Sequence, residues 1–197
     1  MQQTADYPFD YVTFSGSGEP TLVKNLGHLI RMAGKITGKP VAVLTNASLL
    51  YRTAVRENLL PAAIVIAKLD AVNRRTFRKV NCPAPKTDIN RIIAGLIKFR
   101  REFKNCFCLQ LMFVRNNLDE ASQLAELARK IRPDEVQLNT PLRYCRVKPV
   151  SPSQLSAIEK KFTGLKVRSV YRAKRHAVKP IDLRATILRH PFRKNSR

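Results

Sequence analysis

The sequence predicts an α/β protein built on a parallel sheet. Three observations predict it. Strand-like apolar runs alternate with helical periodicities through five units, the runs are apolar on both faces, and their polar residues fall at the carboxyl ends. Parallel neighbours need right-handed crossovers, so those ends converge on one rim. With 197 residues, 44% of them apolar and 26% charged, the chain has the composition of one globular domain and not of a disordered segment. It is too short for a complete eight-fold barrel, which leaves an open sheet or a partial barrel.

The first strand holds Val12, Thr13 and Phe14, β-branched or aromatic residues that suit a pleated buried surface. It breaks into Ser15, Gly16, Ser17 and Gly18, where two glycines permit turns closed to other residues. Glu19 places a carboxylate at the strand exit, and Pro20 suits the first turn of a helix. Spacing alone makes this loop a tight turn. It has neither the dinucleotide fingerprint nor the Gly-Lys-Ser/Thr of a P-loop.

Residues 22–36 carry Leu22, Leu26, Leu29, Ile30 and Ala33 at helical intervals, and Gly38 and Pro40 end that helix. Residues 41–47 read as a second strand, 50–60 as a helix and 63–70 as a third strand. A connection containing Pro83 and Pro85 leads to an amphipathic helix over 87–103, with Ile89, Ile92, Ile93, Leu96, Ile97 and Phe99 on its apolar stripe. Strands follow at 107–114 and 135–139, separated by a helix at 119–131. Ser151 and Pro152 form an N-cap and first helical position for a helix reaching 162. Residues 166–171 fit an edge strand, and 181–189 a short helix in a basic end.

The residues expected on the rim are Ser15 to Glu19, Thr45 with Asn46, Lys68 with Asp70, Gln110 at mid-strand, and Asn139 with Thr140. Singly, each reads as a cap or turn residue. Five successive strands ending this way point to a shared site.

The formal net charge is +23, and residues 164–197 hold eleven Lys or Arg against one acid, Asp182. Such a field favours polyanions, RNA being the expected one in a cytoplasmic protein. General basicity of the host's proteins is the plainer explanation. The longest apolar stretch, 59–67, is interrupted by Pro61 and falls short of the about 20 residues that span a bilayer. The first six residues lack the basic and apolar regions of a signal peptide, so the expected location is the cytoplasm, with no membrane partner.

The cysteines are Cys82, Cys106, Cys108 and Cys145, with no Cys-x-x-Cys pair and no histidine at zinc-finger spacing. Cys106 and Cys108 flank Phe107 and should share one face of a strand. They read as small buried hydrophobes, not as metal ligands. His28, His176 and His190 have no neighbour that suggests acid–base work.

At this level the chain resembles radical S-adenosylmethionine enzymes, in particular Fe–S oxidoreductases related to wyosine-tRNA synthetases. The likeness rests on Thr-Phe-Ser-Gly-Ser-Gly-Glu-Pro-Thr-Leu at 13–22, Val-Leu-Thr-Asn at 43–46 and Lys-Leu-Asp-Ala at 68–71. Thr-Phe-Arg-Lys-Val-Asn at 76–81 and Val-Gln-Leu-Asn-Thr-Pro at 136–141 extend it, over about residues 8–162. The resemblance implies a partial (β/α)6 TIM-like barrel whose upper rim holds S-adenosylmethionine. Gly16, Ser17, Gly18, Glu19 and Pro20 match the loop that holds the methionyl amino group. Thr45, Asn46, Lys68 and Asp70 match positions near the methionine carboxylate and ribose, and Asn139 matches the segment lining the adenine. Acceptors for an ammonium and amides for ribose hydroxyls agree with that assignment.

The resemblance also implies a [4Fe–4S] cluster bound by Cys-x-x-x-Cys-x-x-Cys after a first strand, and this sequence has no such run. The expectation is therefore a truncated core at 8–163, lacking that strand and its loop, and a basic extension at 164–197 that resembles the start of a small helical domain. Such a chain is a fragment or a degenerate product of a longer enzyme, without radical activity alone unless another chain supplies the cluster loop. The alternative is a basic module that binds RNA or tRNA without catalysis.

Overall fold

A computed structural model describes residues 9–16, 18–142 and 147–173. Ser17, Cys145, His176, His190 and the helix expected at 181–189 lie outside the described residues. Six strands form one sheet: β1 (Val12–Phe14), β2 (Val41–Thr45), β3 (Ile64–Lys68), β4 (Cys106–Met112), β5 (Glu135–Asn139) and β6 (Val167–Ser169). Every neighbouring pair is parallel and the spatial order is the chain order. The parallel α/β sheet expected from the sequence is thus present. β6 pairs with β5, so the sheet continues past residue 163.

Sequential order with right-handed crossovers puts every helix on the same side of the sheet. Those helices are α1 (Leu26–Thr37), α2 (Thr53–Leu59), α3 (Arg74–Asn81), α4 (Ile89–Glu102), α5 (Ala121–Ile131) and α6 (Pro152–Glu159). The core lies between them and the sheet face that carries Val43, Val65, Ala67, Phe107, Leu109, Leu111, Val136 and Leu138. Phe99 stacks on Phe103 at 4.8 Å between ring centroids and meets the edge of Phe107 at 5.4 Å. Arg56, buried beneath this layer, donates to the Glu102 carboxylate at 2.8 Å and to the carbonyls of Leu50 and Tyr51.

Among the described residues no helix lies over the other sheet face. Because side chains alternate along a strand, it presents Thr13, Leu44, Ile66, Lys68, Cys106, Gln110, Met112, Gln137, Asn139 and Arg168, all half-buried or exposed. It corresponds to the interior of a partial barrel whose edge strands, among the described residues, are β1 and β6.

Two helices differ from the sequence reading. The helix expected from Leu22 begins four residues later. Glu19 caps a separate 3-10 turn, Pro20–Leu22, and extended backbone at Val23 interrupts it. Leu22 is consequently 70% exposed, and the buried stripe of α1 is Leu26, Gly27, Ile30 and Ala33. The second difference is α3, which occupies the stretch read as a connection. Asn73 caps it, accepting from the Thr76 N–H at 3.0 Å, but only Thr76 and Phe77 are buried. The left-handed backbone of Cys82 followed by Pro83 ends it.

Candidate functional site

The carboxyl ends of β1, β2 and β3 build the best-defined part of the rim. At the exit of β1, Gly16 has φ +150°, a conformation that L side chains rarely adopt, and an added Cβ at Gly16 or Gly18 would meet nothing within 4 Å. The loop therefore leaves open space on its outer side. Glu19 fixes its far end. One carboxylate oxygen accepts from Thr21 N–H at 3.2 Å, Thr21 Oγ1 at 2.6 Å and Thr45 Oγ1 at 2.6 Å. The other accepts from Asn46 N–H at 2.8 Å. Pro20 follows at the first position of the 3-10 turn, where its missing N–H costs nothing.

Thr45 ends β2, is 3% exposed, and accepts from the Ala47 N–H at 3.0 Å while donating to Glu19. Asn46 is exposed and its side-chain carbonyl accepts from Ser48 N–H, which closes an Asx turn. On the next strand Lys68 is half-exposed, with Nζ 3.4 Å from the Asp70 carboxylate. Asp70 itself is buried and committed. It accepts from Met112 N–H at 2.8 Å and Asn81 Nδ2 at 2.7 Å, and its main-chain carbonyl accepts from Asn117.

Asn46, Lys68 and Asp70 share a cleft of about 250 Å³ with Phe77, Asn81, Ile89 and Ile92. The Asn81 Oδ1 in its wall is buried without a protein partner. Asn139 closes β5 in register with Met112, two strands from β3, and does not line this cleft. Of the expected site residues that are described, Gly16, Gly18, Glu19, Pro20, Thr45, Asn46, Lys68 and Asp70 thus form one group, with Asn139 apart. Phe77 and Asn81 belong to the cleft but were not among the candidate residues. Both lie in the quoted 76–81 string, and the Asn73 cap was the signal that this string is helical.

A polar row also crosses the sheet face opposite the described helices. Lys68, Gln110, Gln137 and Arg168 stand in register on four successive strands, and Gln110 donates to Gln137 at 3.1 Å. Below it Glu135 binds Arg168 and Lys166. Burial raises the pKa of the Glu135 carboxyl, but the hydrogen bond from Gln137 and the charges of Arg168 and Lys166 together hold it below the ordinary value. Burial, then the adjacent Cys106, push the Cys108 thiol up to about 12.

Solved structures share this arrangement. A domain of pyruvate-formate lyase-activating enzyme from Bacteroides vulgatus superposes with a TM-score of 0.63 at 19% identity, over 82% of this chain and 99% of that one. Streptococcus suis SuiB bound to S-adenosylmethionine gives 0.64 at 16%, over 85% of this chain and 41% of SuiB. A radical S-adenosylmethionine methyltransferase from Sphaerobacter thermophilus gives 0.64 at 16%, over 85% and 52%. This chain has the fold of these enzymes. Among curated proteins, 137 residues are 42% identical to a GTPase Obg of Brachyspira hyodysenteriae, covering 68% of this chain and 20% of that protein. A UPF0026 protein of Synechocystis is 38% identical over 144 residues, 73% of this chain and 54% of the relative. The chain therefore spans about half the length of that relative. No family model matches the chain.

The radical S-adenosylmethionine fold implies two groups, which the present residues fit unequally. The open space at Gly16 and Gly18, a half-exposed ammonium at Lys68 and the exposed Asn46 suit the polar ends of S-adenosylmethionine. The cluster is different. Cys82 ends α3, whereas Cys106 and Cys108 lie in the amino-terminal half of β4, away from the rim. Among the described residues no three His, Cys, Asp or Glu come together as metal ligands, so these residues do not fit a cluster. No helix among the described residues is long and apolar enough to cross a membrane.

Proposed function

We propose that this chain holds S-adenosylmethionine on the rim at the ends of β1, β2, β3 and β5, as the cofactor-binding part of a radical enzyme whose cluster ligands come from another segment or chain. The observation that carries this reading is the Glu19 clasp, which fixes a glycine loop against β2 with its outer side open. In this reading the carbonyls of the 16–18 loop and Glu19 face the methionyl ammonium. Lys68 faces the carboxylate, Asn46 the ribose and Asn139 the adenine. Asp70 has its oxygens committed to Met112 and Asn81 and acts through Lys68 as a positioning residue. Bound, the cofactor supplies the radical chemistry, while the protein binds and orients it.

Titration calorimetry with S-adenosylmethionine tests the site. Glu19→Ala and Lys68→Ala should each weaken binding about tenfold or more, equivalent to about 1.4 kcal/mol. Identical heats from wild type and both variants would reject the assignment. Anaerobic reconstitution should give this chain alone no stoichiometric cubane cluster. A cubane that generates 5′-deoxyadenosine would overturn that part of the reading.

A second reading, RNA binding, is favoured by one observation. α3 exposes Arg74, Arg75, Arg78 and Lys79 beside the rim cleft, and none of the four forms an ion pair among the described residues. Phosphate contacts release counterions, so tRNA binding by this helix should fall steeply with salt. Salt-independent binding, or none at low salt, argues against it.

A further inference from the structure

Cys106 and Cys108 play no part in the rim, yet the structure brings them together. Both project from the face of β4 opposite the described helices, and their Sγ atoms stand 3.8 Å apart. Cys106 is exposed and Cys108 is buried, so only the first fails the expectation of a small buried hydrophobe. Ile64 and Ile66 are their register partners on β3, and Glu135 is the partner of Cys108 on β5. The Glu135 carboxylate is occupied by Arg168, Lys166 and Gln137, which leaves the pair as a dithiol with an apolar wall on one side.

The separation of the sulfurs discriminates between two uses. Alternate residues on an extended strand have Cα atoms about 6.6–6.8 Å apart. That is the upper limit for a disulfide, and bonding the sulfurs directly would require β4 to buckle. A bridging atom needs no such movement. Two bonds of about 2.3 Å to a tetrahedral ion place their sulfurs about 3.8 Å apart, which is the separation already present. Thiolates are soft ligands and select soft, thiophilic ions over Mg²⁺ or Ca²⁺.

We propose that Cys106 and Cys108 form a bidentate site for one thiophilic metal ion on the open sheet face, with its remaining coordination positions open to an external ligand. The exposed Cys106 gives access, since it also lines a shallow groove with Arg31, Lys35 and Lys39 at the amino-terminal end of the strands. This site is separate from the rim, where Met112, at the other end of β4, stands in register with Asn139.

The test uses the full chain carrying C82S and C145S, reduced and kept anaerobic, titrated with cadmium ion. Thiolate-to-cadmium charge transfer in the ultraviolet reports the bond directly. One cadmium per chain is expected, with loss of the band in a further C106S variant, whose exposed position keeps the fold intact. C108A should also lose the band, and far-UV circular dichroism verifies its folding. If C108A unfolds, C106S alone decides. Persistence of the band in C106S, absence of any band in the C82S/C145S protein, or one cadmium per two chains with dimer formation would each overturn the proposal.

Discussion

The Thr45 hydroxyl donates to the Glu19 carboxylate at 2.6 Å and accepts from the Ala47 N–H at 3.0 Å, so one side chain locks the loop after β1 to the turn after β2. Thr45→Val keeps the shape and removes both bonds. It leaves a buried N–H without its acceptor, a loss of about 1–3 kcal/mol. Urea denaturation should show that loss for Thr45→Val and little change for Thr45→Ser. S-adenosylmethionine affinity should fall with Thr45→Val alone. Equal stabilities of the two variants would mean the hydroxyl is not the lock.

Much of this arrangement was legible in the sequence, for physical reasons that differ by element. β2 and β3 announce themselves by continuous apolar runs, Val41 to Leu44 and Ile64 to Ala67, whereas β5 alternates, with Val136 and Leu138 on the core face and Glu135, Gln137 and Asn139 on the other, as a half-buried strand does. The Ser-Gly-Ser-Gly-Glu-Pro loop was legible because few backbones other than turns need two glycines there. The partners of Glu19 were not, since Thr45 and Asn46 lie 26 and 27 residues away and meet it only when β1 and β2 pair. α3 was hidden because it buries only Thr76 and Phe77 and so shows no apolar stripe. The row Lys68, Gln110, Gln137 and Arg168 depends on register across four strands, which no local pattern encodes.

Gly95 marks where α4 crosses the turn before α2. A Cβ there would stand 2.7 Å from the Leu50 carbonyl carbon and from the Tyr51 nitrogen, both main-chain atoms that cannot step aside. In an exposed helix Gly→Ala gains about 1 kcal/mol. Here overpacking of about 1–3 kcal/mol opposes and exceeds that gain. Gly95→Ala should therefore lower the melting temperature, and a rise would show that the turn yields.

Glu135 sets a pH dependence whose sign follows from its lowered pKa. Gln137, Arg168 and Lys166 together outweigh burial, so the folded state holds the charged form more tightly than the unfolded chain does. The contribution is complete above the ordinary carboxylate pKa and is lost as pH falls through the lower, folded value. Lys166 and Arg168 are mostly exposed, which limits the effect to about 1 kcal/mol. Urea midpoints at pH 7 and pH 3 should differ less for Glu135→Gln than for wild type. An unchanged difference would place the acid sensitivity elsewhere.

Asp70 and Asn81 offer the most discriminating pair of substitutions. Asp70→Ala strands the Met112 N–H and the Asn81 amide in a buried setting, a loss of about 2–6 kcal/mol if each group costs about 1–3. Asp70→Asn retains an acceptor for Met112. Its new NH₂ would face that of Asn81, but Asn81 has an unpartnered Oδ1, and rotation of its amide restores a hydrogen bond. Asp70→Asn should then cost about 1 kcal/mol, while freeing Lys68 from its carboxylate partner. Denaturant midpoints separate the two variants. If Asp70→Asn is as damaging as Asp70→Ala, the negative charge itself holds β3 to β4. If Asp70→Asn is nearly as stable as wild type yet binds S-adenosylmethionine less well, Asp70 acts on the site by fixing where Lys68 points.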